Sequence, residues 1–192
     1  YPTVGWADVG MIAWLVDAAA IVAQQALRDS SYAPYARTMR KICWEESVHI
    51  MHGRDVVVTM VTGSGAQRVA IQDALERWWG PLMQMHGPRS PREHDKDLRW
   101  RIKAKTSEEL RQEFLTIYVP RIRELGLVIP DPDLRFDEDA GEWRYREPDW
   151  EELRTVVTNH GPMSQERLEF RRLAREETAW VRDTILAAPR AA

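Results

Sequence analysis

Apolar residues recur every three to four positions along most of this chain, and strand-like alternation is confined to one short stretch. In the first segment Val9, Ile12, Ala13, Val16, Ala20, Ile21 and Ala23 make a near-continuous apolar surface. That predicts a helix over 6–27 that is buried in a bundle, because a helix apolar almost all round must be covered. Residues 28–34 form the turn, and Pro34 suits the first position of the next helix. A second helix is predicted over 34–62, with Met39, Ile42, Cys43, Glu46, His49 and Gly53 at helical spacing, ended by Gly63-Ser-Gly65.

A third helix is expected over 66–79, broken or kinked at Gly80-Pro81. Residues 87–97 read as a polar loop. Thr106-Ser-Glu-Glu109 is a capping box for a fourth helix toward Leu125, kinked at Pro120 and stopped by Gly126. The stretch 127–147 is a connector with a short hairpin, in which Leu134-Arg-Phe136 pairs with Glu142-Trp-Arg-Tyr145. A short helix over 148–158 follows, then a final, mostly solvated helix from a Ser164 cap to 187. No internal repeat occurs. The expected fold is all-α, a single domain over 1–192 with the hairpin as decoration.

Composition narrows the class. The 192 residues are 44% hydrophobic, enough for a sizeable core. A net charge of −3, from 27 basic and 30 acidic residues, favours neither nucleic acid nor an acidic membrane as partner. No apolar run is read as approaching the ~18 residues of a membrane span. The apolar first segment carries Asp8 and Asp17 and lacks a basic leader, so no signal peptide is expected. The lone Cys43 cannot form an internal disulfide, which suits a reduced cytoplasmic setting. Nine Trp suggest extensive subunit contact.

One helical hairpin carries the chemistry. With the turn centred near Ser31, Asp17 lies 14 residues before it and Glu46 lies 15 after it. At about 1.5 Å per residue both sit about 21 Å from the turn, so they are level in an antiparallel pair. His49 is three residues past Glu46 and shares its face. Two carboxylates and an imidazole then converge where no Lys or Arg is near, and burying them unpaired is costly. A metal ion removes that cost, and oxygen and imidazole donors suit iron or manganese. The pattern is half of a carboxylate-bridged two-metal site in a helical bundle. The simpler reading makes Asp17 a buried acid, protonated or bonded to Trp14 or Gln24.

Neighbouring residues read more plainly. Glu45 should turn away and pair with a Lys or Arg one turn off. His52 reads as a packed, hydrogen-bonded histidine, although support of the site through a hydrogen bond is open to it. Gln24 and Gln25 should bond across the bundle. Cys43 reads as a small core residue, and Trp78 and Trp79 as core or subunit interface. His86, His94 and His160 show no ligand spacing. Arg99, Arg101 and Lys103 read as a solvated basic stretch.

Several segments resemble the catalytic alpha subunits of the phenylacetyl-CoA epoxidase family. They are Trp14-Leu-Val-Asp-Ala-Ala-Ala-Ile-Val22, Lys41-Ile-Cys-Trp-Glu-Glu-Ser-Val-His49, Gln72-Asp-Ala-Leu-Glu-Arg-Trp-Trp79, Leu98-Arg-Trp-Arg-Ile-Lys103, Glu109-Leu-Arg-Gln112, Pro130-Asp-Pro-Asp-Leu134 and Gln165-Glu-Arg-Leu168, in order along nearly the whole chain. The resemblance implies a ferritin-like bundle and a non-haem di-iron centre. It implies an oxygenase that converts phenylacetyl-CoA, dioxygen and NADPH-derived electrons to the ring 1,2-epoxide. It also implies a structural partner that is similar but metal-free, together with a separate flavin and iron–sulfur reductase. By position, Asp17, Glu46 and His49 match metal ligands of the family. The family's other Glu and first Glu-x-x-His have no counterpart after Tyr1, so the chain is expected to be a C-terminal portion lacking the first helix pair and inactive alone. The alternatives are a metal-free structural subunit of the same complex, a di-iron hydroxylase of another acyl-CoA, and a helical scaffold without metal.

Overall fold

Asp8 anchors the first rod of the protein. In the computed structural model, which describes residues 1–187, its carboxylate accepts from Val4 N at 2.8 Å and Gly5 N at 3.2 Å, starting α1 (Trp6–Met11). The other carboxylate oxygen accepts from Arg77 and from Trp78 Nε1, at 2.9–3.0 Å, tying the rod to a later helix. A π segment (Ile12–Val16) and α2 (Asp17–Gln25) continue the rod without a break. Met11, Trp14, Leu15, Ala18 and Ala19 are its buried stripe. The expectation of no stretch of membrane-spanning length needs correction. Trp6–Gln25 does pass that test of length and composition, and more than half of the stretch is buried inside the protein. Its apolarity is used in the core, where Asp8 and Asp17 hardly interrupt it.

The second helix, α3 (Ala33–Thr62), runs back along this rod with nearly the predicted limits, and Pro34 falls in its first turn. Gly10 and Gly53 sit where the two rods touch, Gly10 against Val56 and Gly53 against the Ala13–Trp14 backbone. α4 (Gly65–Gln84) starts at a further capping box: Gln67 N donates to Ser64 Oγ while Ser64 N donates to Gln67 Oε1.

The break expected at Gly80-Pro81 does not occur, and α4 runs through Pro81. A proline inside a helix costs about 3 kcal/mol. The residues beyond it, Leu82 and Met83, are fully buried, each contributing about 1.5–3 kcal/mol. Gln84 Nε2 also donates to Asp149 O at 2.8 Å. Burial outweighs the lost helix bond.

The 87–97 loop contains a single 3-10 turn (Arg92–His94), followed by α5 (Lys96–Arg99), which Asp95 caps. α6 (Ser107–Glu124) begins at the predicted box, with Glu109 N donating to Thr106 Oγ1 and Thr106 N to Glu109 Oε2. It also continues through its proline, Pro120, and ends before Gly126, whose φ of +69° favours glycine. Phe114, Leu115, Val119 and Ile122 complete the core.

The predicted hairpin is present as β1 (Arg135–Asp137) and β2 (Glu142–Arg144), antiparallel with Phe136 opposite Trp143. Two glutamines hold the connector down. Gln112 accepts from Trp143 N at 2.7 Å and donates to Trp143 O at 2.9 Å. Gln72 does the same to Val128, at 3.0 and 2.8 Å.

Thr3–Trp150 pack as one unit, and the chain from Glu151 groups with Tyr1–Pro2 as another. The smaller unit holds most of α7 (Trp150–Val157), then α8 (Ser164–Glu177) and α9 (Ala179–Ala187). The single final helix that was expected is two, separated at Thr178, whose hydroxyl donates to Ala174 O at 2.7 Å and competes with the backbone. Met163, not Ser164, is the cap residue. As expected, this part is largely solvated, with Phe170, Trp180 and Ile185 exposed. The architecture of the described residues is all-α with one small β-hairpin, the ferritin-like class the resemblance implied.

Candidate metal centre

Asp17 opens α2 directly after the π segment, and its own N–H closes the wide turn by donating to Ile12 O. Glu46 and His49 lie one helical turn apart on α3. One ligand atom from each of the three residues can be chosen so that all lie within 4.8 Å of one another. His49 Nδ1 is 3.3 Å from Glu46 Oε2. The level placement argued from the turn is what the fold produces.

The electrostatics leave the group uncompensated. Asp17 is half-buried, and among the described residues no Lys or Arg pairs with its carboxylate and no donor bonds to it. Burial pushes its pKa above the ordinary carboxylate value, Glu46 adds to that rise as a like charge, and His49 opposes it. The simpler reading of Asp17 offered either protonation, which the raised pKa favours, or a bond to Trp14 or Gln24. Trp14 Nε1 is buried without any partner, and among the described residues no hydrogen bond joins Gln24 to Asp17, so neither bond is made. The expected bond of Gln24 across the bundle is likewise not made. Two carboxylate oxygens and an imidazole nitrogen, with no protein cation among them, fit an iron or manganese ion.

The site is more open than a bundle interior would be. The His49 side chain is 60% exposed and that of Glu46 22%. Trp44, Val48 and Met51 on the same helix are also exposed. Among the described residues, the two rods that carry the ligands are what flanks them, so water reaches one side.

The neighbours sort as follows. Glu45 turns away and pairs with Lys41 at 3.5 Å. Cys43 is buried, and burial raises its thiol pKa, which keeps it protonated and inert. Contrary to expectation, His52 is not packed inside; it lies exposed in an apolar groove with Trp6, Val56 and Met60, because that face of α3 is uncovered. Lys103 is held by Asp95 at 2.8 Å, and Arg101 lines a cleft of about 340 Å³ with Asp29 and Leu98. Trp79 is core, Trp78 helps anchor Asp8, and Trp6, Trp44, Trp100 and Trp180 are exposed.

Two residues have no signal in the sequence. His86, just past the end of α4, is buried beside Phe114 with both ring nitrogens unpartnered. Arg111 is fully buried and donates to Met83 O, Gly87 O, Tyr145 Oη and Glu108. Helical spacing places both on plausible surfaces, and only the folded chain shows what encloses them.

Comparison with known proteins places the chain in a family. The chain is 47% identical over 189 residues to a 1,2-phenylacetyl-CoA epoxidase subunit of Escherichia coli (strain K12). The match covers 97% of this chain and 61% of that relative, so the chain spans less than two thirds of the relative's length. The family model described as phenylacetic acid catabolic protein matches residues 1–180. With that match over nearly its whole length, the chain belongs to the phenylacetic acid catabolic protein family.

Proposed function

We propose that this chain is the larger part of the oxygenase subunit of a multicomponent di-iron epoxidase that converts phenylacetyl-CoA to its ring 1,2-epoxide. The carrying observation is the trio of Asp17, Glu46 and His49, with no Lys or Arg paired to it, in a chain 47% identical to a 1,2-phenylacetyl-CoA epoxidase subunit. Asp17 and Glu46 offer carboxylate oxygens and His49 a ring nitrogen. Iron held there would supply the redox chemistry that activates dioxygen. The protein groups hold charge and position; none of the three serves as an acid or base.

Three ligands make half of a two-metal site, so another Glu and a second Glu-x-x-His, from preceding residues or another chain, complete it. Electrons come from NADPH through a separate flavin and iron–sulfur reductase, and a similar metal-free helical subunit is the structural partner. Exposed Trp44 and Val48 beside the ligands suit a covering helix pair. The cytoplasm suits the single reduced, buried Cys43. The rival reading, a structural subunit that has lost its metal, expects the ligands to be replaced by groups that pair internally. All three are retained here, and no Lys or Arg pairs with Asp17 or Glu46 among the described residues.

Glu46→Ala or His49→Ala in the assembled enzyme should abolish iron loading at this position while the fold persists. Elemental analysis of purified protein reads the result. Full iron occupancy in either variant ends the assignment.

A further inference from the structure

We propose that Gly53 is a positioning residue of the metal centre, setting the separation of the two rods at which Asp17 meets Glu46 and His49; this rests on reading those three as ligands. Gly53 lies four residues past His49 on α3, and Ala13 lies four residues before Asp17 on the facing rod. In an antiparallel pair these are the same step away from the site. A Cβ at position 53 would stand 2.4 Å from Trp14 N, 2.5 Å from Ala13 C and 2.7 Å from Ala13 Cβ. Ordinary carbon contacts are about 3.5–4 Å, so the rods would have to part by about 1 Å. The nearest two obstacles are backbone atoms, which no side-chain rotation can move.

Those atoms belong to the π segment, the same wide turn that the Asp17 N–H closes onto Ile12 O. The backbone that rests on Gly53 and the backbone that carries Asp17 are therefore one hydrogen-bonded unit. Lifting it off α3 lifts Asp17 away from Glu46 and His49. Gly10 is the internal contrast. It touches the same helix pair seven residues before Asp17, but a Cβ there meets only side-chain atoms, Val56 Cγ1 at 2.8 Å being the nearest.

The test is titration of the chain with Co(II), an absorbing stand-in for iron at oxygen and nitrogen donors, with thermal unfolding recorded in parallel. Wild type, Glu46→Ala, Gly53→Ala, Ala13→Val and Gly10→Ala are compared. Gly53→Ala should weaken Co(II) binding by about 10–100-fold, the range seen when the support of a metal ligand is disturbed. Ala13→Val, which adds bulk at the same contact beyond the Cβ and leaves the close backbone approach at Gly53 free, should weaken it less. Gly10→Ala should lower the unfolding temperature yet hold affinity within about twofold, as expected of a distant site.

Wild-type affinity in Gly53→Ala overturns the inference, and so does an equal loss in Gly10→Ala, which would make the effect general to helix packing. If Gly53→Ala does not fold, Ala13→Val decides, and unchanged affinity there overturns the inference. Binding by Glu46→Ala equal to wild type refutes the ligand reading itself, a result distinguishable from a failure of Gly53 alone.

Discussion

His86 should make the protein lose about 2 kcal/mol of stability between pH 7 and pH 5, worked from its depressed pKa by linkage. Burial, and after it the Arg111 guanidinium, bring that pKa from the ordinary 6.5 down to about 4 against the opposing charge of Glu108. The sign follows from which state takes up the proton. The unfolded chain binds it as pH falls through 6.5, whereas the folded chain resists until about 4. Stability is therefore complete above the unfolded value, declines below it, and is lowest under the folded one. At pH 5 the shift of about 2.5 units translates to about 2 kcal/mol, rising to about 3 kcal/mol below pH 4.

The carboxylates whose pKa values the fold lowers, Asp8, Asp95, Glu108, Glu109, Asp137 and Glu169, lose their stabilisation only as pH falls through the acid range below their ordinary values. Asp17, whose folded pKa is raised, acts in the opposite sense as pH falls, so the difference between wild type and a variant lacking the imidazole isolates the histidine. Urea unfolding followed by tryptophan fluorescence, for wild type and His86→Leu, measures it. The variant also removes two ring nitrogens that are buried without partners, so at pH 7 it should be as stable as wild type or more so. If the variant keeps the wild-type loss between pH 7 and 5, the reasoning about His86 is wrong.

Asp17→Asn should raise the unfolding temperature of the metal-free chain at pH 7 while eliminating Co(II) binding. A carboxylate with a raised folded pKa opposes folding at higher pH, and that cost fades as pH falls through the folded value; a lower unfolding temperature at pH 7 contradicts it. Asp8→Ala should cost about 3 kcal/mol, the low end for breaking a buried pair, because Arg77 is partly exposed and keeps some hydration. Five N–H groups lose their shared acceptor. Urea midpoints report it, and a change under about 0.5 kcal/mol, the scale of an ordinary surface substitution, counts against the anchoring role.

Local chemistry is legible along the chain. The limits of α3, the Thr106 box, the stop at Gly126 and the presence of the hairpin all follow from residues within a few positions of one another, as capping and turn geometry must. The meeting of Asp17, Glu46 and His49 is also legible, because two helices of known rise joined at a known turn leave little freedom in height. Pro81 reads as a break or a kink, and that its helix continues is not legible, for the opposite reason: whether a helix survives a proline depends on what lies buried beyond it, and Leu82 and Met83 are covered by residues distant in sequence.

The paired bonds of Gln72 and Gln112 to the connector, the enclosure of His86 and the contact of Gly53 with the π segment are of the same kind. Each depends on a partner brought in from elsewhere in the chain, so periodicity carries no trace of it. The amino-acid order thus determined the rods, their ends and the height at which two carboxylates and an imidazole meet. The tertiary packing alone decided how closely the rods approach and how much water reaches those groups, because distance and solvation belong to pairs of surfaces and not to either one.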